Sequence, residues 1–361
     1  MKIVVLGLSI TSSWGNGHAT NYRALVRELD ARGHEVLFLE RDVPWYAEQR
    51  DLPVPPWGTT ALYASLPDLG ERFAGAVRDA DLVLVGSYVP DGIAIGSWVQ
   101  QTARGVLAFY DIDTPVTLGL LERGACEYLS TALIPGYDLY LSFTGGPTLR
   151  RLEQELGARR ALAFYCLVDP DGHQPLSVRP RWDLGYLGTY SDDRQPSLDA
   201  LLLEPARRTA GARCVVAGPR YPQDLVWPAN VERIEHLAPP DHAAFYSAQR
   251  FTLNVTRAEM RTAGWSPSVR LFEAAACGVP IISDRWPGIE EVLVPGQEIL
   301  LADTTEDVLR ILAETGEDTR RAIGERARSR VLAEHTATQR VQLLEDEVAA
   351  LRDARPEPVA S

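Results

Sequence analysis

Residues 265–284 read Trp-Ser-Pro-Ser-Val-Arg-Leu-Phe-Glu-Ala-Ala-Ala-Cys-Gly-Val-Pro-Ile-Ile-Ser-Asp, and their punctuation divides them into a helix and a buried strand. Ser266-Pro267 opens the helix, since a hydroxyl caps free amides and proline suits the first helical position. Cys277-Gly278 closes it, which predicts a helix over 267–277 and a strand over 279–282. The helix N-terminus presents unpaired N–H groups together with Ser268 and Arg270, a combination suited to an anion. Glu273 follows Arg270 by three residues, on the same side of the helix. Two uses of this pair compete. It is either an ion pair on a solvated face, or a ligand site in which Arg270 meets phosphate and Glu273 accepts hydrogen bonds from ribose hydroxyls.

Outward from this stretch, short apolar runs alternate with amphipathic ones along almost the whole chain. Strands are predicted at 2–8, 35–40, 81–86, 105–109, 138–143 and 160–165, and again at 183–187, 212–217, 231–234, 250–254, 279–282 and 298–301. Helices are predicted at 18–32, 196–208, 240–247, 304–314 and through most of 316–352. Such alternation implies parallel βαβ units and doubly wound sheets. Between the two series, residues 168–183 carry three prolines and no periodicity, the mark of a linker. The expected layout is a first domain over 1–170, a linker at 171–183 and a second domain over 184–335. A C-terminal helix at 336–352 and a loose tail at 353–361 complete it. Two α/β halves of similar size are expected to face each other across a cleft, with ligands beyond the carboxyl ends of the strands.

A chain of 361 residues suits two domains, because single cores stop growing near about 250–300 residues. The net charge of −13 argues against nucleic-acid partners and anionic membranes. No apolar run approaches the ~20 residues of a membrane helix, and the expected location is cytoplasmic. Cys126, Cys166, Cys214 and Cys277 show no metal-ligand spacing and read as free thiols. Lys2 is the only lysine. A phosphate site here therefore relies on arginine, backbone amides and helix N-termini.

Several segments of the second half resemble the GT-B glycosyltransferases, and among them the spore-maturation CgeB-like family. Leu271-Phe-Glu-Ala-Ala-Ala-Cys-Gly-Val-Pro280 resembles the donor-site helix of the large retaining family 4. Gly188-Thr-Tyr-Ser-Asp-Asp-Arg194 stands where that family has a glycine-arginine turn and a lysine that grip the donor diphosphate. Asn230-Val-Glu-Arg-Ile-Glu-His236, with Pro240-Asp-His-Ala-Ala-Phe-Tyr246, is similar to the segment lining the base pocket. Asn254-Val-Thr-Arg-Ala-Glu-Met260 and Gly264-Trp-Ser-Pro-Ser-Val-Arg270 point to the CgeB-like group. The resemblance implies a GT-B architecture of two Rossmann-like domains and a glycosyltransferase using a nucleoside diphosphate sugar. A UDP-sugar is favoured as donor, with a hydroxyl acceptor on a glycan or cell-envelope glycoconjugate. It further implies donor contacts from Gly188, Arg194, Arg220, His236, Arg257, Ser268, Arg270 and Glu273, with Glu273 on the ribose. No metal and no other cofactor is expected, and a homo-oligomer is possible. Two departures stand out. Thr189 occupies the arginine position, and Trp265 replaces the first glutamate of the family 4 motif, so a retaining outcome is not implied.

In the first half, Ser9-Ile-Thr-Ser-Ser-Trp-Gly-Asn-Gly-His-Ala19 follows strand 2–8 without a GxGxxG spacing or a P-loop lysine. His18 stands where some GT-B enzymes carry a general base, and imidazole suits proton removal near neutral pH; a local packing role is the alternative. Asp111 and Asp113 follow strand 105–109 as a DxD, offering a base or an acceptor ligand rather than a metal site, or else a structural turn. Trp45, Tyr46 and Trp57 either stack on an acceptor sugar or pack locally. Two further functions share the same donor site: a GT-B nucleotide-sugar epimerase and a non-catalytic nucleotide-sugar-binding module.

Overall fold

The computed structural model describes residues 1–14 and 17–354. Gly15 and Asn16 of the first loop, and the expected tail from residue 355 on, lie outside the described residues. The chain forms two compact units. One combines residues 1–167 with the helix Ala337–Asp353, and the other is Val168–Thr336.

The first unit is built on seven parallel strands: β1 (Lys2–Gly7), β2 (Glu35–Arg41), β3 (Thr59–Tyr63), β4 (Leu82–Gly86), β5 (Val106–Asp111), β6 (Leu139–Ser142) and β7 (Ala161–Ala163). Their order is β3-β2-β1-β4-β5-β6-β7. Sequential strands thus run outward from β1 in one direction and from β4 in the other. That reversal between β1 and β4 is the topological switch point of a doubly wound sheet. Ile3, Val4, Val5 and Leu6 are buried, as a central strand covered on both faces requires.

Strand β3 is absent from the sequence expectation. It is an edge strand following the proline-rich loop 51–58, and only Tyr63 of its five residues is buried, so no apolar run marks it. Of the loop aromatics before it, Tyr46 is buried, Trp45 is exposed, and Trp57 lies beneath Arg27, 6.0 Å from the guanidinium carbon.

The second unit repeats the plan with β8 (Trp182–Leu187), β9 (Cys214–Ala217), β10 (Val231–Ile234), β11 (Gln249–Asn254), β12 (Ile281–Ser283) and β13 (Leu300–Leu301). Their order is β10-β9-β8-β11-β12-β13, all parallel, with the switch point between β8 and β11. The helical stretch predicted at 196–208 is present but is not regular. A π turn at Asp199–Leu203 separates Gln195–Leu198 from Glu204–Arg208. Pro205 explains it, since it has no N–H for the preceding turn and the helix widens ahead of it.

The helix predicted to open at Ser266-Pro267 instead spans Val269–Ala276. Gly264 and Trp265 both have positive φ, and the turn they make carries Ser266 and Pro267 in non-helical backbone, leaving Ser268 at the N-cap. Among the described residues, no helix is long and apolar enough to cross a membrane. The four cysteines are free thiols.

The helix Ala337–Asp353 packs on the first unit beside the helix His18–Ala31, burying Val341, Leu344 and Val348, a spacing that lines one helical face. Its polar groups are tied down as well. Glu345 accepts from Arg32 and pairs with His34 at 2.7 Å, and Arg340 donates to the Tyr165 carbonyl at 2.9 Å. Leu344→Ala should therefore cost about 3 kcal/mol through transfer and cavity terms, read as a lowered denaturant midpoint. An unchanged midpoint would mean that this helix does not hold the unit together.

Candidate functional site

In the second unit, the carboxyl ends of β8 and β11 are bridged by one side chain. Arg270, on the first turn of the helix Val269–Ala276, is only 8% exposed. Its Nε donates to the Leu187 carbonyl at the end of β8, and its Nη1 donates to Asn254 Oδ1 at the end of β11, at 2.9 Å. The guanidinium lies over the Tyr186 ring, 4.6 Å from its centroid. Asn254 acts as the hub: its Oδ1 also accepts from the Ser268 hydroxyl at 2.7 Å, and its Nδ2 donates to Ser283 at 2.9 Å. Arg270 and Ser268 thus converge on the switch point, where the fold leaves its crevice.

Gly188 follows Leu187. A Cβ there would stand 2.6 Å from the Tyr186 hydroxyl and 2.9 Å from Arg270 Nη2, so only glycine lets the backbone pass this close to that guanidinium. Gly218 approaches from the next strand with φ 137°, and a Cβ on it would stand 2.2 Å from the Gly188 carbonyl oxygen.

Arg194 donates to the Thr189 carbonyl at 2.7 Å, and its Nε has no hydrogen-bond partner among the described residues. Arg220 is exposed, in left-handed backbone just past β9. His236 is exposed beyond β10, and Arg257 is half-buried beyond β11. Asp284 follows β12 and accepts from the Thr256 amide and hydroxyl; burial pushes its carboxyl up despite these bonds.

Arg270 and Glu273, adjacent on the helix, each bond elsewhere. Glu273 is 6% exposed and accepts from the Tyr246 hydroxyl at 3.2 Å. His173 and His242 approach its two oxygens at 3.7 and 3.6 Å. Burial alone would raise this carboxyl, but His242, His173 and Tyr246 outweigh it and hold Glu273 well below the usual carboxylate range. The solvated ion-pair reading of Arg270 and Glu273 does not hold, because both side chains are buried.

Arg233 is a residue that sequence reasoning did not single out. It packs against both Tyr221 and Trp227, at 4.3 and 4.5 Å from rings that meet each other edge to face, and donates to the Gly218 carbonyl at 3.0 Å. Trp265, at the position of the first family 4 glutamate, has φ 44° and packs over Gly288, where a Cβ would come within 2.5 Å of its ring.

In the first unit, Glu40 organises the loop after β1. Although fully buried, its carboxylate accepts from the Ser9 hydroxyl, the Ile10 and Thr11 amides at 2.7 and 3.0 Å, and the Thr11 hydroxyl at 2.6 Å. His18 begins the following helix, its ring 5.3 Å from that of Tyr88. Tyr88 takes φ 62° and donates to Asp113 at 3.1 Å. Burial lowers the His18 imidazole, and the Asp113 charge opposes this only in part. His18 and Asp113 therefore share one neighbourhood at the switch point of this sheet.

Asp111 does not join them. It is 0% exposed and accepts from Tyr140 at 2.6 Å and Thr117 at 2.7 Å. Burial pushes it up to about 6 against these hydrogen bonds. In the unfolded chain Asp111 ionises near pH 4, so the folded protein binds the extra proton between about pH 4 and 6. The contribution of Asp111 is full below that window and falls as the pH rises through 6, by up to about 3 kcal/mol. Asp111→Asn should flatten this part of the stability profile, measured as urea midpoints at pH 5 and 7; an unaltered pH slope would count against it.

Residues 194–346 match the model of a family described as Glycosyl transferase-like. No curated protein sequence matches the chain. Among solved structures, the sucrose-phosphate synthase of Thermosynechococcus elongatus is similar over 96% of this chain and 99% of its own, at 15% identity and a TM-score of 0.68. HepE of Anabaena, in complex with UDP and glucose, is similar over 97% of this chain and 100% of its own, at 14% identity and a TM-score of 0.68. An Escherichia coli protein described as trehalose-6-phosphate, bound with UDP-2-fluoro glucose, is similar over 96% of this chain and 99% of its own, at 12% identity and a TM-score of 0.67. The chain has the GT-B fold of two parallel-sheet Rossmann-like units, and residues 194–346 carry the pattern of a glycosyl transferase-like family.

Proposed function

We propose that this protein is a glycosyltransferase that moves a sugar from a UDP-sugar to a hydroxyl acceptor on a glycan or cell-envelope glycoconjugate. The observation that carries the reading is Arg270, a buried guanidinium held across the β8–β11 switch point against the backbone of Gly188. Its Nη2 takes no part in the two hydrogen bonds that anchor it, and it lies beside Gly188. Support comes from the family match over 194–346 and from fold relatives whose structures hold UDP or a UDP-sugar.

In this reading the donor diphosphate lies over Gly188, against Arg270 Nη2 and the N-terminus of the helix that follows Ser268. Arg194, Arg257 and Arg220 supply the further positive charge, with no metal required in that role. His236 and Arg233 border the base, and Glu273 offers one oxygen to a ribose hydroxyl. As the bond between the anomeric carbon and the phosphate oxygen breaks, its electron pair stays with the UDP, where fixed cations stabilise it. The acceptor oxygen bonds to the anomeric carbon and gives up its proton. His18, kept neutral by burial, is the base that takes that proton, and Asp113 stabilises the imidazolium that forms. A cytoplasmic location fits a nucleotide-sugar donor.

Calorimetric titration with UDP should show binding without Mg²⁺. Arg270→Ala should weaken it by about 30–100-fold, the loss expected for a charged hydrogen-bonded contact. UDP affinity unchanged in a folded Arg270→Ala protein would overturn the donor-site assignment. His18→Ala should leave UDP affinity intact while transfer slows by about 10²–10⁴-fold; a rate equal to wild type would remove His18 as the base.

A further inference from the structure

Glu273 is the meeting point of three chain segments. His173 comes from the bend after the turn at 170–172, ahead of β8, His242 begins the helix His242–Ser247, and Glu273 lies on the helix that carries Arg270. One ligand atom from each of the three lies within 4.8 Å of the others, and they are the group of metal-ligating side chains found among the described residues.

Hydrogen bonding does not explain the cluster. His173 is 5% exposed, yet neither of its ring nitrogens has a hydrogen-bond partner, and Nδ1 of His242 has none either. The gaps of 3.7 Å from His173 Nε2 and 3.6 Å from His242 Nδ1 to the carboxylate exceed hydrogen-bond length. Three buried polar nitrogens without partners carry a desolvation penalty that native structures rarely leave uncompensated. The spacing is instead close to that of ligands around one ion. With metal–ligand bonds of about 2.0–2.1 Å, tetrahedral ligands lie about 3.3–3.4 Å apart; the three ligand atoms here lie within 4.8 Å of one another, and the two imidazoles, which face different oxygens of Glu273, close on a single one by side-chain rotation.

We propose that His173, His242 and one carboxylate oxygen of Glu273 bind a single divalent ion of the zinc class. Two imidazoles and one carboxylate favour Zn²⁺ over Mg²⁺ or Ca²⁺, which take oxygen ligands. The other carboxylate oxygen remains an acceptor for a hydroxyl, as it already is for Tyr246. Three protein ligands leave a fourth position for water or a ligand hydroxyl. The ion ties the segment before β8 and the His242 helix to the helix of Arg270. The inference stands on this geometry and is independent of the donor reading.

The test uses the full-length protein, stripped with a chelator and titrated with Co²⁺ by visible absorption, with Zn²⁺ as competitor. Wild type should take up one ion per chain with the intense bands of a four- or five-coordinate site. His173→Ala and His242→Ala should each lose more than the about 10–100-fold in affinity that even outer-sphere changes cost. His34→Gln, which removes a His–Glu pair elsewhere, should bind the ion as wild type does. Zinc should raise the melting temperature of wild type and not that of His173→Ala. Wild type binding no more tightly than the two variants would overturn the proposal. X-ray absorption of the zinc-loaded wild type decides it even if a variant fails to fold: two imidazole ligands support it, and a shell of oxygens alone overturns it. UDP affinity is measured on the stripped protein. UDP binding without an ion site would defeat only this inference, and an ion site without UDP binding would defeat only the donor reading.

Discussion

The guanidinium of Arg270 is the constraint around which the second unit is arranged. A buried cation is tolerated only where its donors meet well-placed acceptors. Here the acceptors are a carbonyl at the end of one strand and an amide side chain at the end of another. The two strands flank the point where the sheet reverses direction, so one side chain clamps the crevice that the topology creates. A lysine offers a point charge instead of a planar fork and cannot bridge two such acceptors while stacking on Tyr186. Gly188 then has to be glycine, because a side chain there would meet the same guanidinium.

The first unit solves a similar problem with the opposite charge. Glu40 is fully buried at the end of β2, and its lone pairs are satisfied by the amides and hydroxyls of the loop after β1. That carboxylate fixes the Ser9–Thr11 part of the loop that leads on towards His18. Tyr88, forced into left-handed backbone after β4, carries the hydroxyl that meets Asp113. Strain of this kind persists only where surrounding structure over-determines it.

Much of the architecture was legible because central parallel strands are buried on both faces and show as apolar runs, as β8, β9, β11 and β12 do. Strand β3 was not, because an edge strand half in solvent has no such run. The helix start at Val269 was misplaced by Ser266-Pro267, whose capping chemistry was overridden by the positive-φ turn at Gly264-Trp265. Site chemistry was legible where ligands lie close in sequence, as for Ser268, Arg270 and Glu273. Their true partners were not, since Asn254, Leu187, His173 and His242 are brought to them only by the fold. Local spacing paired Arg270 with Glu273, and tertiary contacts separated them.

The return of Ala337–Asp353 to the first unit has a consequence for how the protein is made. Val341, Leu344 and Val348, which are buried on the first unit, are translated only after the whole of Val168–Thr336 has been synthesised. At about 5–20 residues per second, that delay is roughly ten to thirty seconds. During it, the face of the first unit that will receive this helix is uncovered on the ribosome, and the second unit, contiguous in sequence, has all of its parts before that helix is made. The unit translated first is therefore the one completed last.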